Sequence, residues 1–189
     1  MSKTIEISFD KQVEKVIREI GYELREDHAT EAARFALNAT AEKLKGDLAR
    51  EILKIDDLLL LKAIRRRLRV WKSNKNDPLE SKVIGYLSNV RLTELGVPVQ
   101  NPSMPGTRIR GRMYPHAFLA TMHKKSGRDV YIRTSPKRFP VKMVNIRIYE
   151  EAVRMAERLS GSKVLMDKFR ERYNYKIRAL SGYWGNKYD

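Results

Sequence analysis

The chain has no cysteine, which excludes disulfides and thiolate metal sites and leaves nothing pointing to an oxidising compartment. No apolar run approaches the roughly 18 residues of a membrane-spanning helix. Met1–Asp10 (MSKTIEISFD) mixes acidic and apolar residues and has no secretory pattern. A soluble protein made in a cytoplasm, with no membrane partner, is therefore expected. Histidine is scarce, and His28, His116 and His123 do not stand at HExxH or i,i+4 spacing with another ligand, so a zinc site has no support. There is no GxSxG nucleophile elbow, no GxxxxGK[ST] and no GxGxxG. Asp129 precedes a strand among basic neighbours, as in some metal-dependent nucleases, but the second acidic residue and its lysine are missing from the next strand. Without a catalytic constellation the chain reads as a non-enzyme with no cofactor and no metal. Base-reading modules are missing too: no helix-turn-helix spacing, zinc finger or aromatic-rich RNP-like strand occurs.

Acidic residues are short in one region only. The chain holds 39 Lys/Arg against 23 Asp/Glu, a net charge of +16. Residues 1–61 carry 10 basic and 13 acidic side chains, residues 62–148 carry 20 and 4, and residues 149–189 carry 9 and 6. The whole excess sits in the middle block. Such a block meets a polyanion, an acidic protein surface or water. It offers three clusters: Arg65, Arg66 and Arg67 with Arg69; Arg108, Arg110 and Arg112; and Lys124, Lys125 and Arg128. The alternation in RIRGRM predicts one strand with the guanidinium groups of Arg108, Arg110 and Arg112 on a single face. These ten residues are the candidate contacts, either to double-stranded DNA through non-specific phosphate anchors or to the acidic first third of a neighbouring subunit.

With 189 residues the chain suits one domain with its own core. Thr4–Phe9 alternates as a strand, and Asp10 is placed to cap a helix over 11–25 carrying Val13, Val16, Ile17, Ile20 and Leu24. A second helix begins near Asp27 or Thr30. Its stripe of Ala33, Leu37, Ala41, Leu44, Leu48, Ile52 and Ile55 predicts a core helix, and its small residues leave a subunit contact open. Asp56 and Asp57 are expected at the N-terminus of a further helical turn or two, with Leu59, Leu60, Ala63 and Ile64 inward. Leu68–Lys72 reads as a strand with Leu68 and Val70 opposite Arg69 and Trp71. Val83–Leu92 reads as another, with Ile84, Tyr86, Val90 and Leu92 on one face. Gly96–Gly106 holds three prolines and reads as a long loop.

From Arg108 to Ile148 further strands are expected at 117–122, 130–133 and 141–146, with turns at 124–128 and 135–140. Ile109, Met113, Phe118, Val130, Ile132, Val141 and Met143 are expected on the buried face. Two helices close the chain, about 148–159 and 162–179, before the aromatic tail SGYWGNKYD. The predicted class is α+β: a mixed or antiparallel β-sheet packed by a long N-terminal helix and C-terminal helices. Residues 1–159 form the domain, and 160–189 supply a C-terminal helix and arm.

Ala33-Arg34-Phe35-Ala36-Leu37-Asn38-Ala39-Thr40-Ala41 resembles the A-x-x-A-L-N-x-T-A signature of the minor tail protein Z family of lambda-like tailed bacteriophages and prophages. Arg67-Leu68-Arg69-Val70 resembles that family's basic helix-to-strand segment, and Gly96-Val97-Pro98-Val99 its mid-chain proline segment. Ala117–Met122, Val130–Arg133 and Phe139-Pro140-Val141 resemble its closing strands, in the expected order. The resemblance covers most of residues 28–148. It implies a tail completion (minor tail or neck) protein, a virion component at the head-proximal end of a long non-contractile tail. Such a protein serves head–tail joining and placement of the DNA end. The implied partners are further copies in a homo-oligomeric ring and other tail or neck proteins, such as the tail terminator and tape measure. The resemblance brings no catalytic residues. The alternative reading is a non-specific nucleic-acid-binding protein that uses block 62–148.

Overall fold

The computed structural model describes residues 4–7, 26–75, 78–100, 105–122, 127–137 and 139–181. The helix expected over 11–25, Lys124 and Lys125, and the tail beyond Ser181 lie outside the described residues.

The long helix α1 spans Glu26–Leu53. Its predicted stripe from Ala33 to Ile52 is fully buried, and Ala32, Ala36 and Ala49 widen the buried band. Each buried leucine contributes about 1.5–3 kcal/mol. A band this wide faces more than one element. At the chain's end α3 (Tyr149–Ser160) and α4 (Lys163–Leu180) both pack on α1. Ser162 caps α4, accepting the Leu165 N–H at 3.4 Å. Leu165, Phe169 and Tyr173 of α4 enter the same core as the α1 stripe, so the helix grouped with the C-terminal arm packs into the body of the protein.

After α1 the chain turns. The Asp56 carboxylate accepts the Leu58 N–H at 2.9 Å, and α2 starts only at Leu61, running to Arg67. Asp56 and Asp57 thus sit in the connecting turn, not at a helix N-terminus as expected. A carboxylate that folds back on the backbone two residues on stabilises a turn instead of starting a helix. α2 runs directly into β2 (Leu68–Trp71).

The first sheet has the order β1 (Thr4–Ile7), β3 (Lys82–Tyr86), β2, all antiparallel. Ile7, Val83 and Leu68 are buried, and β2 and β3 pack on α1. Ile84 and Tyr86 are expected on one face with Val90 and Leu92; instead Val83, Gly85 and Leu87 are buried with Val90 and Leu92 while Tyr86 is exposed. Gly85 hides the true parity, because it has no side chain to register as apolar. A Cβ there would lie 3.1 Å from Leu68 Cδ2 and 3.2 Å from Leu87 Cδ1. The stretch 83–92 is also not one strand. It breaks after Tyr86 and resumes as β4 (Val90–Arg91), which pairs with β11 (Asn145–Ile146). The loop after β2 is pinned by α1: Asn38 Nδ2 donates to Ser73 O at 3.1 Å, and Asn38 Oδ1 accepts from Ser73 N–H at 2.9 Å and Ser81 Oγ at 2.5 Å.

The remaining strands form two antiparallel three-stranded sheets. One is β5 (Val99–Gln100), β6 (Gly106–Ile109) and β7 (Arg112–Pro115); the other runs β10 (Val141–Met143), β9 (Asp129–Arg133), β8 (Ala117–Ala120). The buried Thr107 hydroxyl joins them by donating to Ala117 O at 2.9 Å. The fold is α+β, with its antiparallel strands spread over several small sheets. Part of the loop expected at 96–106 is the edge strand β5, where an unpaired outer side tolerates nearby prolines.

Two sequence expectations fail in this region. The stretch 108–112 is a hairpin, not a strand: Arg110 and Gly111 have φ of 47° and 87°, the positive values a two-residue type I′ turn requires. The buried row also divides. Phe118 stands opposite Tyr131, whereas Val130 and Ile132 oppose Leu119 and Ala117. Phe118 therefore shares a face with Tyr131 and Met143, not with Val130, and stays half-buried.

Candidate polyanion and assembly surface

The ten candidate cations separate into groups once the structure assigns their partners. The hairpin turn sends Arg112 back to the α1–α2 turn, where it donates to Asp56 at 2.8 Å and also pairs with Asp57. Partial burial pushes the Asp56 carboxyl up, but the Arg112 guanidinium and the Leu58 N–H outweigh this and hold it below the usual carboxylate range. Arg110 donates to Leu58 O at 2.7 Å. Arg67 is engaged as well: it donates to Ser88 O at 3.0 Å and Ser88 Oγ at 3.2 Å, and pairs with Glu94 at 2.8 Å. Arg110 and Arg112 are thus fasteners between the β6–β7 hairpin and the α1–α2 turn, and Arg67 is a fastener between α2 and the β3–β4 segment. Arg108, Arg110 and Arg112 therefore do not share one strand face, as the alternation predicts, because the chain turns at Arg110 and Gly111.

Arg69 lies with its guanidinium 5.8 Å from the Tyr86 ring centre. Arg65 and Arg66 on α2, Arg108 on β6 and Arg128 before β9 are exposed, and none pairs with an acid among the described residues. Leu61, Lys62, Arg65 and Arg66 form an open basic face on α2. Lys124 and Lys125 lie outside the described residues.

Besides Asp56 and Asp57, five described acids of the first third are engaged within the chain. Glu6 pairs with Lys82, Glu31 with Lys176, Glu42 with Lys72, Asp47 with Lys43 and Arg50, and Glu51 with Lys54 and Arg158. In the middle block Glu80, Glu94 and Asp129 are likewise paired. These described acids thus already have cationic partners within the chain. The uncompensated charge is left at the surface.

Asp129 has a structural task. It is buried, accepts the Thr93 hydroxyl at 2.6 Å and pairs with Arg91 at 3.3 Å, latching β9 to β4 and the turn after it. Among the described residues no group of three His, Asp or Glu side chains is arranged to hold a metal ion.

Sequence reading missed two features. One is a cleft of about 620 Å³ where Arg91 and Asn145 pair across the β4–β11 ribbon, closed by Arg147, Glu150 and Glu151 at the start of α3. The ribbon is too short to leave a periodic signal. The other is the outer face of the first sheet. The alternation of Arg69 and Trp71 announced it, but the inverted parity of β3 concealed Tyr86. No family model, curated protein or solved structure matches the chain.

Proposed function

We propose that this chain is a structural assembly protein of a tailed phage, a tail completion protein acting where head and tail join. The observation that carries this reading is the residue-by-residue resemblance together with where its pieces fall. The A-L-N-x-T-A stretch lies on the long core helix, Arg67–Val70 spans a helix-to-strand junction, and Ala117–Ala120 and Val130–Arg133 pair as strands. The surplus of unpaired surface arginines supplies what such a protein uses to meet anionic neighbours. Electron microscopy of tails labelled with an antibody to the protein tests it. Label at the head-proximal end, with joining lost when the gene is deleted, is the expected result. Virions that lack the protein, and a purified chain that stays monomeric, would sink the reading.

A second reading, non-specific nucleic-acid binding, is favoured by Arg65, Arg66, Arg108 and Arg128, which no described acid neutralises. Titration against duplex DNA should then show affinity falling steeply with salt, with a slope of about −0.9 per phosphate contacted.

A further inference from the structure

We propose that the outer face of the sheet β1–β3–β2 is a stacking platform for single-stranded nucleic acid, an inference that rests on the nucleic-acid reading above. The antiparallel register sets Arg69 opposite Ile84 and Trp71 opposite Lys82. Side chains alternate across a strand, so Arg69, Trp71, Lys82, Ile84 and Tyr86 share the face turned away from α1. Trp71 is 55% exposed and Tyr86 44%. Two rings this open on one sheet face offer flat π-surface that the contacts with Lys82 and Arg69 only partly cover.

The cations on this face differ in freedom. Lys82 Nζ lies 5.4 Å from the Trp71 ring centre and is tethered by Glu6 at 2.8 Å and Glu80 at 2.9 Å. It is held over the indole and offsets part of the charge of Glu6 and Glu80, the two carboxylates it meets. Arg69 rests on Tyr86 with no described acid as partner, so it can leave the ring for a phosphate. Directly upstream, α2 adds the exposed Lys62, Arg65 and Arg66.

Tyr86 stands four residues along β3 from Lys82, the residue opposite Trp71, so the rings are separated by about 13 Å along the strand. A few nucleotides of an extended strand span that distance, with their phosphates passing Arg69. A duplex hides its base faces and gains nothing from open rings, whereas unpaired bases stack on them. A protein partner would ask for a more continuous apolar patch than two rings interleaved with cations.

The test is fluorescence anisotropy with a labelled oligothymidylate of roughly 15 nucleotides, within the range such surfaces occupy, and with a duplex of equal length. The wild-type chain should bind the single strand more tightly than the duplex. Trp71→Ala and Tyr86→Ala should each weaken single-strand binding about tenfold, with duplex binding and circular dichroism unchanged; Trp71→Phe should retain most of the affinity. Single-strand binding that ignores both alanine variants while duplex binding persists would overturn the platform and leave the nucleic-acid reading standing. Absence of binding to either probe would overturn both. A change in sedimentation on Trp71→Ala, with oligonucleotide affinity untouched, would also overturn the proposal and reassign the face to contacts between copies.

Discussion

Asn38 reaches from the long helix to both main-chain groups of Ser73, acting as a strand neighbour would and fixing the loop between β2 and β3. Removing it strands the Ser73 carbonyl, leaves the Ser73 N–H only the longer bond to the Ser81 hydroxyl at 3.3 Å, and takes the acceptor from that hydroxyl. Asn38→Ala should therefore cost about 2–4 kcal/mol, read as a lower urea midpoint with unchanged slope. Two residues on, Thr40 is buried and its hydroxyl has no partner among the described residues. Thr40→Val replaces an unsatisfied hydroxyl with a methyl of similar size, and thermal melting should show equal or higher stability, by up to about 1 kcal/mol. The opposite signs expected at neighbouring positions of one motif come from hydrogen-bond satisfaction alone. Arginines divide on the same ground. Arg110 holds the Leu58 carbonyl beside Asp56 and Asp57, so Arg110→Glu should lose about 1.5–3 kcal/mol through that charge-assisted bond. Arg108→Glu, exposed on β6, should leave the melting temperature within error. Equal melting of the two variants would show that the Arg110 bond contributes nothing.

At the scale of elements, α1, α3 and α4 are legible in the sequence, and α2 and the strands only partly. The α1 stripe repeats long enough for its period to be unambiguous, and the Ser162 cap carries its own chemical mark. Strands of two to five residues give alternation too few steps to fix its parity, and a single glycine at 85 was enough to invert the reading of β3. The turn at Arg110–Gly111 was missed because arginine is an unusual occupant of a positive-φ position. The surface arginines could be named from sequence but not sorted, since their partners lie more than fifty residues away in the case of Arg110 and Arg112. The clearest test at this scale concerns α4. Leu165, Phe169 and Tyr173 each lie within the central core, and losing a buried aromatic alone costs about 3–5 kcal/mol. A chain ending at Gly161 should fail to fold, giving no cooperative melt. A folded, cooperative 1–161 fragment would show that residues 162–181 are an appendage after all.

For the molecule as a whole, ion pairs tie the N-terminal third to the rest: Glu6 to Lys82, Glu31 to Lys176, Glu42 to Lys72, Glu51 to Arg158, and Asp56 and Asp57 to Arg112. Most are exposed and individually weak, but they act together on one variable, pH. Hydrogen bonds from Lys176 and Lys54 hold the Glu31 and Glu51 carboxyls below the usual value, and Asp56 is held down as well despite its burial. A carboxyl whose pKa is lower in the folded chain gives stability that is complete above the unfolded value of about 4 and is lost as pH falls through the folded value. Protonation also removes the only charges that offset a chain already at +16, so like-charge repulsion adds to the loss. The urea midpoint should therefore be flat from about pH 8 to pH 5 and fall below about pH 4. Asp56→Asn should start lower at neutral pH and fall less steeply in acid, because one of the linked protons is gone. A midpoint that already declines near pH 6 would implicate histidine instead, and one that holds to pH 3 would show that these pairs do not contribute to stability.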